Sequence, residues 1–213
     1  LAGMVLIGIT TFLPMYVQVV LERSSVTAGL TLTMVMLGWP IGATLTSRIF
    51  QRVGLWRILV AGAALIPVGC SSFVLLAAGS TPVLAGVGSF VIGLGMGLLS
   101  LSSLILIQES VDVAQRGSAT ASNVFSRNLG SALGAAFFGA VFNFGLTRAD
   151  GRLAFTAEQL RLLLQGPASP AAGDAALRLA LGGSLHLTFV MMLVVGLAVF
   201  ALEAGDDLRL GLD

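Results

Sequence analysis

The sequence predicts an all-α membrane protein with six transmembrane helices, and its composition gives the first reasons. Apolar residues make up 56% of the 213 residues, charged residues only 10%, and the mean hydropathy is +1.00. An ordinary soluble domain carries about 25% charged residues, and a soluble fold of this size could not hide so much apolar surface. The net charge of +1 gives no reason to expect nucleic acid as a partner. The lipid bilayer is therefore the expected surroundings of most of the chain.

The length of the apolar segments is the second reason. A helix needs about 20 mainly apolar residues to cross the hydrocarbon core. Backbone groups in lipid must be paired within their own segment, so each long segment is expected to be a helix. Their continuous apolarity excludes the alternating strands of a membrane barrel. The six predicted spans cover about residues 1–21, 27–50, 56–78, 82–108, 118–146 and 182–202.

A long polar segment, residues 147–181, separates the fifth and sixth spans. Within it, Thr156 and Gln159 have the spacing of a capping box, which predicts a short surface helix over 156–166. The segment is too polar to span, so we expect an extracytoplasmic loop. The chain starts in an apolar segment at Leu1, which suggests a fragment of a longer protein.

The shortest loop predicts the orientation. Arg48, Arg52 and Arg57 surround a very short connection between the second and third spans. Short loops weigh most in the positive-inside rule, so this cluster is expected in the cytoplasm. Six spans then place both chain ends in the cytoplasm too, in a multi-pass protein of the cell (inner) membrane.

Glycines recur with small-xxx-small spacing in three spans. Such faces let helix backbones approach closely in lipid. Helix packing is the simpler interpretation, and a direct part in ligand binding or gating is the alternative. Pro40 lies within the second span, where proline removes a backbone hydrogen bond and kinks a helix. The predicted packing or gating residues are Gly38, Pro40, Gly42, Gly93, Gly97, Gly130 and Gly134.

Polar side chains form stripes at helical spacing on the first, fourth and fifth spans. Polar groups on a lipid-facing surface are costly, so these stripes are expected to face protein or a water-filled cavity. A cavity is the functional interpretation, and interhelical hydrogen bonding without a cavity is the alternative. The stripe residues are Thr11, Gln18, Ser100, Gln108, Asn123 and Arg127.

Arg127 is the one charge inside the apolar segment FSRNLGSALG, residues 125–134. Two roles stay open: it faces a cavity or a neighbouring helix, or it snorkels to the lipid headgroups. The fourth and fifth spans are antiparallel and join near Val113, so a rise of about 1.5 Å per residue places Arg127 level with Ser100. Glu109 then lies about 13 Å nearer the cytoplasm, which argues against a direct ion pair with Arg127.

Two other titratable groups are candidates for a proton relay. A relay needs a buried group whose charged form is disfavoured by desolvation. Glu109 ends the fourth span and His186 opens the sixth, although each also fits an interfacial role. The sequence has no motif of positioned catalytic groups and no metal-ligand or cofactor motif, so an enzyme is not expected.

Two long stretches resemble a known family. YVQVVLERSSVTAGLTLTMVMLGWPIGATLTSRIFQRVG (16–54) and GLGMGLLSLSSLILIQESVDVAQRGSATASNVFSRNLGSALGAA (93–136) resemble the C-terminal half of a major facilitator superfamily transporter. Within that superfamily, they are most similar to the fourteen-span drug:proton antiporters of the EmrB/QacA type. The resemblance implies a single six-helix domain over residues 1–213, forming one half of the major facilitator fold. It also implies a partner, the missing N-terminal half of the same transporter.

The resemblance implies a function as well: proton-coupled efflux of lipophilic or amphipathic small molecules by alternating access. The first, second, fourth and fifth spans would line the substrate cavity between the halves. Tyr16 and Met34 would add an adaptable apolar wall. Two alternatives stay open, a half-size transporter that works as a homodimer and a membrane scaffold subunit that does not transport.

The superfamily's cytoplasmic loop motif has a weak counterpart here. Serine stands where the family has its first glycine, and Gln51 stands where it has an acid. Since Gln51 is uncharged, a gating salt bridge at this loop is not expected. The residues that the resemblance assigns to the loop are Arg48, Arg52, Gly54 and Arg57.

Overall fold

The computed structural model describes residues 1–76, 80–149 and 175–210. Within these residues, six helices are long and apolar enough to cross a membrane, which confirms the predicted fold class. A short 3₁₀ turn, Val113–Gln115, joins the fourth and fifth helices. The helices are α1 (Ala2–Val19), α2 (Ser25–Val53), α3 (Leu55–Val74), α4 (Pro82–Glu109), α5 (Arg116–Ala149) and α6 (Ala175–Leu210).

Local sequence signals set several helix ends. The Ser24 hydroxyl accepts a hydrogen bond from the Thr27 N–H at 3.3 Å and caps α2. Pro82 occupies the first turn of α4, where its missing N–H has no cost. Gly54 separates α2 from α3 at a φ of +89°, a conformation that favours glycine. We call the end of the bundle that carries the Gly54 turn the inner end, and the opposite end the outer end.

The helices around the predicted long loop extend further than the apolar pattern indicates. Helix α5 continues to Ala149, and α6 begins at Ala175 rather than near Gly182. Both ends of the predicted loop 147–181 are therefore helical. The predicted surface helix over 156–166 lies outside the described residues.

The helices pack as two interleaved units of three. Helix α4 packs against α2 and α3, and α1 packs against α5 and α6. Contacts of α3 with α6 and of α1 with α2 join the two groups. The first helix of each sequential triplet thus packs on the last two helices of the other triplet, as in an inverted three-plus-three repeat. We call α2, α3 and α4 the α4 unit, and α1, α5 and α6 the α1 unit.

Aromatic packing closes the core between the units near the outer end. The Tyr16 and Phe189 rings lie 5.3 Å apart in an edge-on arrangement, and Phe73 lies 5.6 Å from Phe189. The Tyr16 hydroxyl donates to the Leu76 carbonyl at 3.1 Å. Edge-on rings contribute more than the burial of their area alone, so this cluster fixes α1, α3 and α6 together.

Buried hydroxyl groups are mostly satisfied within their own helices. Thr31 donates to the Ala28 carbonyl at 2.7 Å, and Thr188 donates to the Ser184 carbonyl at 2.8 Å. Such bonds to the preceding turn satisfy a hydroxyl without a partner from another helix. These residues therefore stabilise apolar packing and do not mark a polar cavity.

Candidate functional site: a polar pocket around Arg127

A pocket of about 300 Å³ opens in the inner half of the bundle, among α1, α4, α5 and α6. The first residues of α1, the second half of α4, the first half of α5 and the last part of α6 form its walls. Its side chains are mixed, with hydroxyl, amide and charged groups beside apolar ones. The lining residues are Leu1, Ala2, Gly3, Met96, Leu99, Ser100, Ser103, Asn123, Ser126, Arg127, Val199, Leu202 and Glu203.

Hydrogen bonds between α4 and α5 fix the register of the pocket walls. Gln108 Nε2 donates to the Thr120 hydroxyl at 3.1 Å, and Asn123 Nδ2 donates to the Ser103 hydroxyl at 3.3 Å. The antiparallel register that these bonds define continues to Ser100 and Arg127. Both line the pocket, in agreement with the sequence-based prediction that Ser100 and Arg127 lie at the same height along the bundle.

Arg127 reaches the pocket from α5, at a depth of about 16 Å along the helix axis from Arg116. Its side chain is half-buried. The guanidinium carbon lies 5.8 Å from the centre of the Trp39 ring on α2, within range of a cation–π interaction. Among the side chains that the structure describes, none forms an ion pair with this guanidinium. Arg127 therefore faces the inside of the bundle, next to a face of α2.

The other small residues of the Arg127 stripe contact α1. A Cβ atom at Gly134 would lie 2.6 Å from the Met4 Cα atom, whereas one at Gly130 would meet nothing closer than 3.9 Å. The Ser131 hydroxyl lies 3.1 Å from the Gly3 carbonyl and 3.2 Å from the Arg127 carbonyl, and it donates to one of them at a time. Only Gly134 is thus required by a close approach of the two backbones.

The predicted glycine faces of the second and fourth spans pack against each other. A Cβ atom at Gly97 would lie 2.8 Å from the Ala43 nitrogen, and one at Gly38 would lie 2.8 Å from the Leu94 nitrogen. Gly42 and Gly93 make similarly close contacts with the opposite backbone. These four glycines therefore serve α2–α4 packing. Pro40 lies on the exposed side of α2, which continues through it as a helix.

Five predicted cavity residues do not line the pocket: Gln108 bonds to Thr120 nearer the inner end, and the other four lie toward the outer end. Thr11 is exposed on α1, and Tyr16 is buried in the aromatic cluster near the outer end. Gln18 accepts a hydrogen bond from the Ser25 hydroxyl at 3.2 Å, across the α1–α2 turn. Met34 lines a separate apolar groove of about 390 Å³ between the first halves of α2 and α4. Their helical spacing was compatible with one cavity, but their depth places them nearer the outer end.

The two candidate relay groups are both exposed. Glu109 is exposed at the last residue of α4, and His186 is exposed on α6. Helix α6 begins at Ala175, so His186 lies within the helix and not in its first turn. Neither side chain is buried inside the bundle, so the structure does not show the burial within protein that a relay requires.

The predicted inner loop is a sharp turn with exposed arginines. Arg48, Arg52 and Arg57 are all exposed around Gly54, which carries the positive φ. The Gly54 N–H donates to the Phe50 carbonyl at 2.9 Å and closes α2. Gly54 therefore has a conformational role, and the arginines surround the turn without contacting the pocket.

Most residues of the site were not predicted from the sequence, and three of them are most relevant to its chemistry. Trp39 contacts Arg127, Ser103 bonds to Asn123, and Glu203 lines the pocket from α6. The antiparallel register of α4 and α5 could have predicted Ser103. Trp39 and Glu203 lie on helices whose position relative to α5 depends on tertiary packing, so no local pattern could have predicted them.

An ion pair joins α6 to the α1–α2 turn at the outer end. Arg178 of α6 pairs with Glu22 in the α1–α2 turn. Glu22 has a φ of 53°, the one positive φ outside glycine in the described residues. The contact fixes the first described turns of α6 against the α1–α2 connection, far from the pocket.

Six spans in two interleaved units, with a polar pocket in the inner half, define a multi-pass helical membrane protein with the build of a transporter half. The sequence model of the Major Facilitator Superfamily matches residues 1–135. The chain therefore belongs to the major facilitator superfamily, a superfamily of membrane transporters.

Individual relatives agree with this assignment. Over 141 residues, 66% of the chain, it is 30% identical to an uncharacterized MFS-type transporter of Mycobacterium tuberculosis and covers 20% of that protein. Over 136 residues, 64% of the chain, it is 26% identical to the multidrug transporter protein MdtP of Bacillus subtilis and covers 25% of that protein. The chain thus spans a fifth to a quarter of the length of these curated relatives.

Proposed function

We propose that this chain is the C-terminal half of a proton-coupled exporter of lipophilic or amphipathic small molecules. The pocket around Arg127 carries the proposal, because it places polar groups and a charge inside a bundle that otherwise suits lipid. Intramembrane charges of this kind mark substrate or ion pathways. The name of the relative MdtP, a multidrug transporter, supports the efflux of drugs, and the sequence resemblance supports the fourteen-span branch.

The exposed faces of α2 and α5 support a partner half. Large apolar side chains such as Met36 and Ile41 on α2, and Phe125, Leu129 and Leu133 on α5, are exposed. In alternating access, two halves move against each other around a central site, so helices at the seam need a face for the other half. We propose that the N-terminal half covers part of these faces and lipid the remainder.

The inner turn supports an orientation with this end in the cytoplasm. Arg48, Arg52 and Arg57 are exposed around a turn of minimal length. Positive residues in short loops favour the cytoplasmic side. The pocket, which lies in the inner half, would then be on the cytoplasmic side of the midplane of an inner membrane.

The experiment is dye transport by the complete transporter, this chain together with the proposed N-terminal half, in inside-out membrane vesicles. We expect an imposed pH gradient to drive accumulation of the neutral lipophilic dye Nile red in vesicles that contain the protein. Arg127→Ala is expected to lower transport of amphipathic substrates by about tenfold, since a hydrogen bond to a charged group contributes roughly 1.5–3 kcal/mol. Arg148→Ala removes an exposed charge at the other end of α5 and is expected to have no effect.

Absence of gradient-driven transport for neutral, cationic and anionic dyes alike would contradict the proposal and favour a scaffold function. A second variant tests the proton relay separately. Because Glu109 is exposed, we expect Glu109→Gln to leave the pH dependence of transport unchanged. A shifted profile would instead return Glu109 to the coupling pathway.

A further inference from the structure

The charge of Arg127 is placed where it needs a partner. A guanidinium is always charged in proteins, and a charge inside a membrane-spanning segment is costly unless it is paired. Arg127 lies within α5 and is half-buried. Its described neighbours provide an aromatic face, Trp39 at 5.8 Å, and no carboxylate within ion-pair distance. A cation–π contact compensates only part of the lost hydration, because it leaves the N–H donors without an oxygen acceptor.

The pocket next to this guanidinium has room and further donors. Its volume of about 300 Å³ is at the lower end of the range of small-molecule sites. Ser100, Ser103 and Ser126 bring hydroxyl groups to its walls, and Asn123 brings an amide whose position the bond to Ser103 fixes. An anionic oxygen group beside Arg127 could therefore accept hydrogen bonds from more than one side chain.

The remaining walls of the pocket are apolar. Met96 and Leu99 line it from α4, and Val199 and Leu202 line it from α6. A hydrocarbon or aromatic group is buried favourably against such side chains. The pocket thus offers one charged end and one apolar side, which is complementary to an amphipathic anion.

We propose that this pocket binds the carboxylate of amphipathic substrates, with Arg127 as the residue that selects for the negative charge. The proposal rests on the proposed export function and deepens it by naming a substrate class. The fork of the guanidinium matches the two oxygens of a carboxylate. Binding would draw the guanidinium into that pair, so the surroundings of the Trp39 indole change when the site fills.

Two other anions compete for the same guanidinium. Glu203 lines the same pocket, although its carboxylate lies outside ion-pair distance of Arg127 in this structure. Arg127 could also snorkel toward the inner end and pair with a phospholipid phosphate. Both share the anionic oxygen chemistry of the proposed substrate, so the experiment must separate the three sources.

The experiment measures the Trp39 fluorescence of the full chain, taken as the difference between the parent and Trp39→Phe. Phenylhexanoate and its neutral amide, phenylhexanamide, are titrated in phosphatidylcholine nanodiscs. We expect the carboxylate to bind about ten- to hundredfold more tightly than the amide, the range for a hydrogen bond to a charged group. Arg127→Gln should abolish this preference, and Arg127→Lys should retain only part of it, because lysine lacks the fork.

Equal binding of the acid and the amide by the parent would overturn the proposal, as would a preference that persists in Arg127→Gln. A preference for the acid that appears only in Glu203→Gln would overturn the proposal as well, because it would show that Glu203 neutralises Arg127.

A preference that is present in maltoside micelles and lost in phosphatidylglycerol nanodiscs would also overturn it, because it would show that a lipid phosphate occupies Arg127. If Arg127→Gln does not fold, the acid-over-amide preferences of the parent and of Arg127→Lys still test the proposal. Nile red transport separates the two proposals: continued transport with equal acid and amide binding overturns only the carboxylate site.

Discussion

The helices pack more extensively within the α4 unit than within the α1 unit. In the α4 unit, glycines bring backbones together: Gly93 and Gly97 contact α2, while Gly88 and Gly95 contact α3. In the α1 unit, Gly3 and Gly134 bring α1 and α5 close together, and Gly145 brings α5 close to α6, but much of α5 remains exposed. Helix backbones in close contact have few alternative arrangements, since a packed interior does not deform continuously.

The contrast shows where function and rigidity lie in this half. The pocket is bounded by α1, α5 and α6, with one wall from α4, so it lies on the side with the looser packing. Arg127 links the two units, because it belongs to α5 and contacts Trp39 of α2. We infer that the α4 unit is the rigid frame and that movement of the α1 unit against it would alter the pocket.

The largest expected effect comes from breaking the rigid unit. In Gly97→Ala, the new methyl would meet the backbones of Trp39 and Ala43, with the Ala43 nitrogen only 2.8 Å away. Backbone cannot move aside as a side chain can, so we expect a loss of about 1–3 kcal/mol in the free energy of unfolding. Unfolding in mixed micelles measures it. Gly86→Ala is the matched control in the same helix, because its Cβ would lie 3.6 Å from the flexible Met34 side chain. Equal losses in the two variants would contradict the rigid-frame interpretation.

A smaller effect is expected at Gly134, where α5 approaches α1 in the α1 unit. Gly134→Ala would place a methyl 2.6 Å from the Met4 Cα and 2.9 Å from an Ile7 side-chain carbon. Two of the three nearest atoms belong to side chains, which can adjust, so we expect a loss of about 1 kcal/mol, at the low end of overpacking costs. Gly130→Ala lies one turn earlier with open space around it, and alanine is the better helix former by up to about 1 kcal/mol. The two variants should therefore differ in sign, as thermal unfolding of the purified protein can show.

The sequence predicts the fold of this chain better than it predicts the site. Apolar length alone yields six helices, because lipid leaves few alternatives to a helix. The register of α4 and α5 also follows from sequence, since a short turn joins them, and it correctly brings Ser100 level with Arg127. Tyr16 was expected in a cavity wall but is buried in the core, since periodicity cannot distinguish a face toward protein from a face toward a pocket.

The contact between Trp39 and Arg127 links the two units, and we expect it to have an intermediate effect on stability. The two glycine variants do not measure this contact. A double-mutant cycle of Trp39→Leu and Arg127→Gln isolates the interaction of the indole with the guanidinium. We expect a coupling of about 0.5–1 kcal/mol, the range of a cation–π pair that is not fully desolvated. The same cycle with Arg148→Gln, at the far end of α5, should give none. A coupling near zero in the first cycle would mean that the two units do not communicate through Arg127.

The smallest effect is expected at the hydrogen bond between Asn123 and Ser103, which joins α5 to α4 at the floor of the pocket. Interhelical hydrogen bonds in membranes contribute only about 0.6 kcal/mol on average, because the separated helices find other partners. The 3.3 Å distance is also at the long end for such a bond. We therefore expect a coupling of about 0.6 kcal/mol or less in the Asn123→Ala and Ser103→Ala cycle. A coupling well above that of the Trp39–Arg127 pair would reverse the comparison. It would mean that α4 and α5 are fixed against each other, so that the pocket could not open between them.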